Sequence, residues 1–213
     1  MAQKFVKHET AVIDDGAIIG NYTAIWHYSH VEKTAVIGEN CNLGQNTYVG
    51  NNAIIGNACR IGNSVSIFSN VELQDFVFCA PFMVFTHIGY PRAAIVRHRV
   101  FEKTLVKTGA TLGANSTVVP GVTVGMGAFI AAGAVLTKSC KDWSLMVGVS
   151  AKQMGWVSAY GEKIPLPLKG SGEWVCSHTG DVYYLEGAEL RRQAGIDDIL
   201  KYTHGQELKR RNI

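Results

Sequence analysis

The stretch AVIGENCNLGQNTYVGNNAIIGNACRIGNSVSIFS, Ala35 to Ser69, is one short unit written over and over. Aliphatic residues stand at Ile37, Leu43, Val49, Ile55, Ile61 and Ile67, each six after the last. A small or slender residue follows four places later, at Cys41, Thr47, Ala53, Cys59 and Val65. Between them lie runs such as Gly38-Glu39-Asn40, Gly50-Asn51-Asn52 and Gly62-Asn63-Ser64, built of residues that tolerate positive φ. A helix needs apolar spacing near 3.6, and a half-buried strand alternates at every second residue. A period of six fits neither. It reads as short strands separated by turns, units that bury their aliphatic face only by stacking, so the chain is predicted to be an all-β solenoid.

Outward from this stretch the pattern extends back to Ile13, Ile19, Ile25 and Val31 and forward to Leu73, then lapses after Phe78. It resumes at Val106, Leu112, Val118, Val124, Ile130 and Leu136. The intervening segment, 79–105, carries Phe82, Met83, Phe85, His87, Tyr90, Arg92, Arg97, His98 and Arg99. An apolar and basic excursion of this kind makes a poor solvated loop, and it is where function is expected to gather. After the last repeat, Glu173 to Leu185 reads as a hairpin around His178-Thr179-Gly180-Asp181, and the residues beyond Gly187 read as helical. The expected organisation is thus a solenoid over 1–150 with an insertion at 79–105, and a capping tail over 151–213.

The hexads resemble those of the left-handed β-helix acyltransferases, in which three hexads form one triangular coil of eighteen residues. The left hand and the triangle come from that resemblance. Seventeen hexads then imply a left-handed parallel β-helix of about six coils. Residues eighteen apart become vertical neighbours: Cys41 with Cys59 inside, His27 with Gln45 and Asn63, and His30 with Tyr48 and Ser66 on the outside.

Composition narrows the function. The 213 residues are 47% hydrophobic and 17% charged, with a net charge of +3, too small to argue for nucleic acid. No run of eighteen apolar residues suggests a membrane span, and Met1 to Glu9 lack the apolar region of a signal peptide. Five cysteines without a C-x-x-C pair fit reduced thiols in a cytoplasm.

Several runs narrow the resemblance to the N-acetyltransferases that act on nucleotide-linked 3-amino sugars. They are Ile25-Trp26-His27-Tyr28-Ser29-His30, Leu43-Gly44-Gln45-Asn46, Val77-Phe78-Cys79, Met83-Val84-Phe85-Thr86, Pro91-Arg92, Lys107-Thr108-Gly109-Ala110, Leu112-Gly113-Ala114-Asn115 and Gly155-Trp156. The resemblance implies a homotrimer, with acyl-CoA between adjacent prisms and a dTDP- or UDP-linked sugar entering from the early coils. It implies no metal. The chain departs from the family where His87 replaces an asparagine, where Tyr90 precedes Pro91-Arg92, and where Val149-Ser150-Ala151 replaces Asn-Pro-Ala. These departures leave room for an acyl group larger than acetyl.

The chemistry asks for an aligned amine, a donor for the developing oxyanion and a sink for the amine proton. His87 is the candidate base, since imidazole titrates near neutrality; otherwise it contacts the sugar as the family asparagine would. His27, His30, Gln45 and Asn46 are candidate acceptor contacts, and Arg92 is a candidate diphosphate clamp. Tyr48, Phe78 and Tyr90 are candidates to stack on a ring. Gly113, Ala131, Ala132 and Gly133 would let a pantetheine arm run close, with Lys138, Lys141 and Lys152 near its phosphates. Three rivals remain. Sugar O-acetylation is one. A γ-carbonic-anhydrase-like metal site drawing on His27, His30, His87 and His98 is another, and an inert solenoid is the third.

Overall fold

A computed structural model describes residues 5–95 and 102–195. Arg97, His98 and Arg99 lie outside the described residues. The described chain is strands and turns, with no helix long and apolar enough to cross a membrane.

The aliphatic hexad positions form three parallel sheets, the sides of a prism. Side 1 stacks Val6–Lys7, Ala24–Ile25, Asn42–Leu43, Arg60–Ile61, Phe78–Cys79, Thr111–Leu112, Phe129–Ile130 and Ser144–Val147. Side 2 stacks Val12–Ile13, His30–Val31, Tyr48–Val49, Ser66–Ile67, Val84–Phe85, Thr117–Val118 and Val135–Leu136. Side 3 stacks Ile18–Ile19, Val36–Ile37, Ile54–Ile55, Val71–Leu73, Thr104–Val106 and Thr123–Val124. Within each two-residue strand the second side chain points inward. Ile25, Leu43 and Ile61 are buried on side 1, Val31, Val49 and Ile67 on side 2, and Ile37 and Ile55 on side 3. Cys41 and Cys59 lie wholly inside as free thiols, their Sγ–H groups donating to Gly56 O and Gln74 O.

The prism is longer than the hexad count implies. Six coils are complete on all three sides, a seventh has strands on two, and Ser144–Val147 begins an eighth. Three rungs escape an aliphatic search because their inward positions are Lys7, Cys79 and Phe85. Cys79 and Phe85 are nonetheless buried, so the coil continues through 79–85. The insertion therefore does not begin at 79. Leu73 pairs with Val106, 33 positions on rather than 18, which leaves fifteen extra residues, all after Phe85 at the corner between sides 2 and 3.

The tail is sheet, not helix, through the described residues. Lys152–Val157 folds back antiparallel on Ser144–Val147 and pairs with Lys163–Ile164. Gly170–Val175, Val182–Gly187 and Glu189–Gln193 form a separate three-stranded sheet, which contains the expected hairpin. The expected helix after Gly187 is replaced up to Gln193 by the third strand, whose Leu190 is buried against Leu185. A second small core of Trp143, Trp156, Ile164, Cys176, Tyr183, Leu185 and Leu190 fills the join. Beside it Asp181, with no side-chain exposure, accepts two hydrogen bonds from Arg192 at 2.9 and 3.0 Å.

Candidate active site

Side 2 and its two edges carry most of the predicted residues. On the face itself, His30 and Tyr48 occupy the outward positions of adjacent rungs, paired in register. His30 Nε2 lies 3.1 Å from Asp14 Oδ1, and its ring meets Tyr48 edge-on at 6.0 Å. Tyr48 in turn lies 5.8 Å from the ring of Phe68. The Phe68 ring stacks on His87 at 4.3 Å with 25° between planes. Burial of the Tyr48 phenol, then its hydrogen bond to Glu32 and the charges of Glu32 and Asp14, push its pKa up to about 12. At neutral pH Tyr48 is therefore a hydrogen-bond donor, held by the Glu32 carboxylate. The result is a ladder, His30–Tyr48–Phe68–His87, climbing four coils with carboxylates at its foot.

The corner between sides 1 and 2 runs alongside this ladder. Here the His27 ring stacks on His8 at 3.5 Å, and the His27 carbonyl accepts the Asn46 N–H at 2.8 Å. Gln45 donates its backbone N–H to Asn63 Oδ1 at 3.1 Å, while its side chain is exposed. Asn46 takes a left-handed conformation (φ 57°) and its side-chain amide reaches Ser64 Oγ at 3.3 Å. Its amide thus also serves the turn. Further along the same corner come Gly113, Ala131, Ala132 and Gly133. They divide by role. A Cβ on Gly113 would meet Ala132 N at 2.5 Å and Ala131 C at 2.7 Å, so this glycine is required by coil-on-coil packing. Ala131 packs on the core, whereas Gly133 (φ +69°) has nothing within 4 Å of a would-be Cβ.

Other expected residues lie apart. Phe78 stands on side 1, half-exposed, in the same outward row as Asn42 and Arg60. Tyr90 is 81% exposed in the insertion, and the Arg92 guanidinium turns back to the Pro91 carbonyl at 3.0 Å. Lys138 is exposed at the far corner of side 2, and Lys152 is exposed on the strand that folds back after the last rung. Lys141 is engaged with the tail, donating to Ala188 O at 2.6 Å and pairing with Glu189. The described residues contain no group of three or more His, Cys, Asp or Glu side chains placed to hold a metal ion.

Sequence reading missed Phe68, Glu32, Asp14 and His8. Their signal is positional rather than compositional: Asp14, Glu32 and Phe68 share one eighteen-residue column just past the side-2 strands, and His8 stands at the first corner between sides 1 and 2.

Comparison with known proteins agrees with this architecture. Residues 16–51 and 34–69 match the bacterial transferase hexapeptide repeat, and 108–138 match the hexapeptide repeat of succinyl-transferase. Over 57 residues the chain is 42% identical to the dTDP-3-amino-3,6-dideoxy-α-D-galactopyranose 3-N-acetyltransferase of Aneurinibacillus thermoaerophilus. That stretch spans 27% of this chain and 30% of the relative's length. Among solved structures, a variant of AntD, an N-acyltransferase from Bacillus cereus in complex with dTDP and coenzyme A, superposes with a TM-score of 0.50. It is 18% identical and the match covers 71% of this chain and 82% of that one, a likeness of fold.

Proposed function

We propose that this chain, whose residues 16–69 and 108–138 match hexapeptide repeats of transferases, moves an acyl group from acyl-CoA to an amine on a nucleotide-linked 3-amino deoxysugar. The donor is acetyl-CoA or a somewhat larger acyl-CoA, the nucleotide dTDP or UDP, and the setting surface-glycan biosynthesis in the cytoplasm. The partial match to a dTDP-amino-sugar N-acetyltransferase supports the substrate class, and the AntD variant similar in fold is itself in complex with dTDP and coenzyme A.

The observation that carries the reading is side 2 itself, with the ladder ending at His87 on one edge and the corner opened by Gly133 on the other. The amine lone pair attacks the thioester carbonyl, and the tetrahedral oxyanion is met by backbone N–H donors of the coils. Neutral His87 accepts the proton shed by the nitrogen as the C–S bond breaks and CoA leaves as thiolate. His27, His30, Gln45, Asn46 and Tyr48 hold the acceptor, with Phe78, Tyr90 and Arg92 from neighbouring surface. Gly133 and Ala132 leave the corner open for a pantetheine arm, with Lys138 and Lys152 near its phosphates.

A homotrimer completes this site. Ile18, Val36 and Ile54 form an exposed apolar row on side 3, paired rung to rung, which supports burial against another copy.

The test is thiol release from acetyl-CoA and longer acyl-CoAs with dTDP- and UDP-linked 3-amino sugars. Turnover with the amine and none with the hydroxyl analogue is expected. Turnover with the hydroxyl analogue instead would identify an O-acyltransferase, and silence across the panel would remove the reading.

A further inference from the structure

We propose that Phe68, a residue with no polar atom to offer a substrate, is a positioning residue that sets the plane of the His87 ring. The inference rests on His87 being the working side chain of the site proposed above.

The argument begins with where His87 sits. It lies two residues beyond the last regular rung before the insertion, Val84–Phe85, next to Thr86, whose N–H donates to Val118 O at 3.0 Å. Beyond it the chain leaves the coil, so the backbone alone fixes the imidazole poorly. An imidazole has two soft torsions, and a proton acceptor held loosely loses alignment with its donor.

Phe68 supplies a constraint on the ring plane. It occupies the same corner one coil earlier, where its backbone carbonyl accepts the Val71 N–H at 3.2 Å. Its ring is part-buried against the prism core and presents one face to His87. Phe68 is itself braced by Tyr48, which Glu32 holds through the phenol and His30 meets edge-on. A stacked ring at 4.3 Å restricts rotation about the imidazole's second torsion through the ring face, not through the nitrogens. That combination suits a group that must exchange a proton at its edge. It also explains an aromatic residue at a corner position that other coils fill with Asp14, Glu32 or Gly50.

The experiment compares wild type, Phe68→Leu and Phe68→Tyr, each alone and combined with His87→Asn. Leucine keeps the apolar bulk and removes the flat face; tyrosine keeps the face. Expected is a fall in kcat of about 10-fold for Phe68→Leu with KM for both substrates within about twofold, and near-normal rates for Phe68→Tyr. In the His87→Asn background Phe68→Leu should add nothing further. A full independent loss in that background, or a wild-type rate for Phe68→Leu, overturns the proposal. A second readout needs no turnover: the His87 ring proton resonances, identified by their loss in His87→Asn, should carry a ring-current shift that Phe68→Leu abolishes. Retention of that shift also overturns the proposal. If wild type acylates nothing while the ring-current result holds, it is the proposed reaction that fails and not the positioning.

Discussion

The coils before the insertion and those after it solve the same corner differently. Most hexad turns place a residue in the left-handed region. Before the insertion these residues are mostly side-chain-bearing: Tyr22, Tyr28, Asn40, Asn46, Asn52, Ala58, Ser64, Asn70, Phe76 and Phe82. After it they are mostly bare: Gly109, Gly121, Gly127 and Gly133, with Asn115 among them and Trp143 after. A side chain in this region costs roughly 1–2 kcal/mol per residue, and least for asparagine. Tyrosine and phenylalanine there are the expensive choices. The early coils thus bear strain to display side chains, and the late coils give up side chains for room. An acceptor read by many contacts suits the first, and an extended arm lying on backbone suits the second.

The largest expected effect tests the decorated half. His87→Ala should lower kcat by roughly 10²- to 10⁴-fold, with KM for acyl-CoA little changed, in steady-state thiol-release assays. A KM effect larger than the kcat effect would place His87 with the donor and break the comparison.

Next, Gly113→Ala should destabilise the fold by about 1–3 kcal/mol or more in urea denaturation, because the new methyl drives into the backbone of the next coil. Unaltered stability would show that the coils can move apart there. Gly133→Ala meets no atom, so it should cost only about 1 kcal/mol through its backbone conformation. Its larger consequence should be a raised KM for acyl-CoA. The reverse exchange, Tyr28→Gly (φ 57°), should stabilise by up to about 1 kcal/mol and weaken acceptor binding. Gained stability with unchanged KM would mean that this strain serves nothing at the site.

The smallest effect is on pH. Tyr48 keeps its proton up to about 12, against near 10 for a free phenol. Stability held by the neutral phenol is complete below about pH 10 and is lost as pH rises through 12. The ring is only part-buried, so the loss is modest, and Tyr48→Phe should flatten that limb of the urea-midpoint curve. An identical curve would assign the alkaline limb to another group.

How much of this is legible in sequence follows from the same contrast. The aliphatic rungs announce themselves, since nothing but a repeating interior demands a branched side chain every sixth residue. Cys79 and Phe85 pass unnoticed because a stack of coils accepts a small thiol and a large ring in adjacent rungs as readily as two aliphatics. The columns His30–Tyr48–Ser66 and His27–Gln45–Asn63 are readable by counting eighteens, and their strands and turns do stack as counted. Phe68 and His87 are nineteen apart and sit at corners, where a change of direction swings the side chain off its column. Counting cannot bring them together; only the turn's geometry does. The strand Glu189–Gln193 is not legible in sequence because the segment is mostly charged, and it exists to cover Tyr183 and Leu185 rather than from its own preference.

The register across the insertion has a wider meaning. Because Val71, Glu72 and Leu73 pair with Thr104, Leu105 and Val106 as though nothing lay between, the scaffold is indifferent to what is spliced into that corner. Segments of other lengths and compositions could be exchanged there without re-solving the fold. Substrate range can then drift quickly by descent while the stacked frame stays the same, and an engineer seeking a new acceptor would start at this splice point.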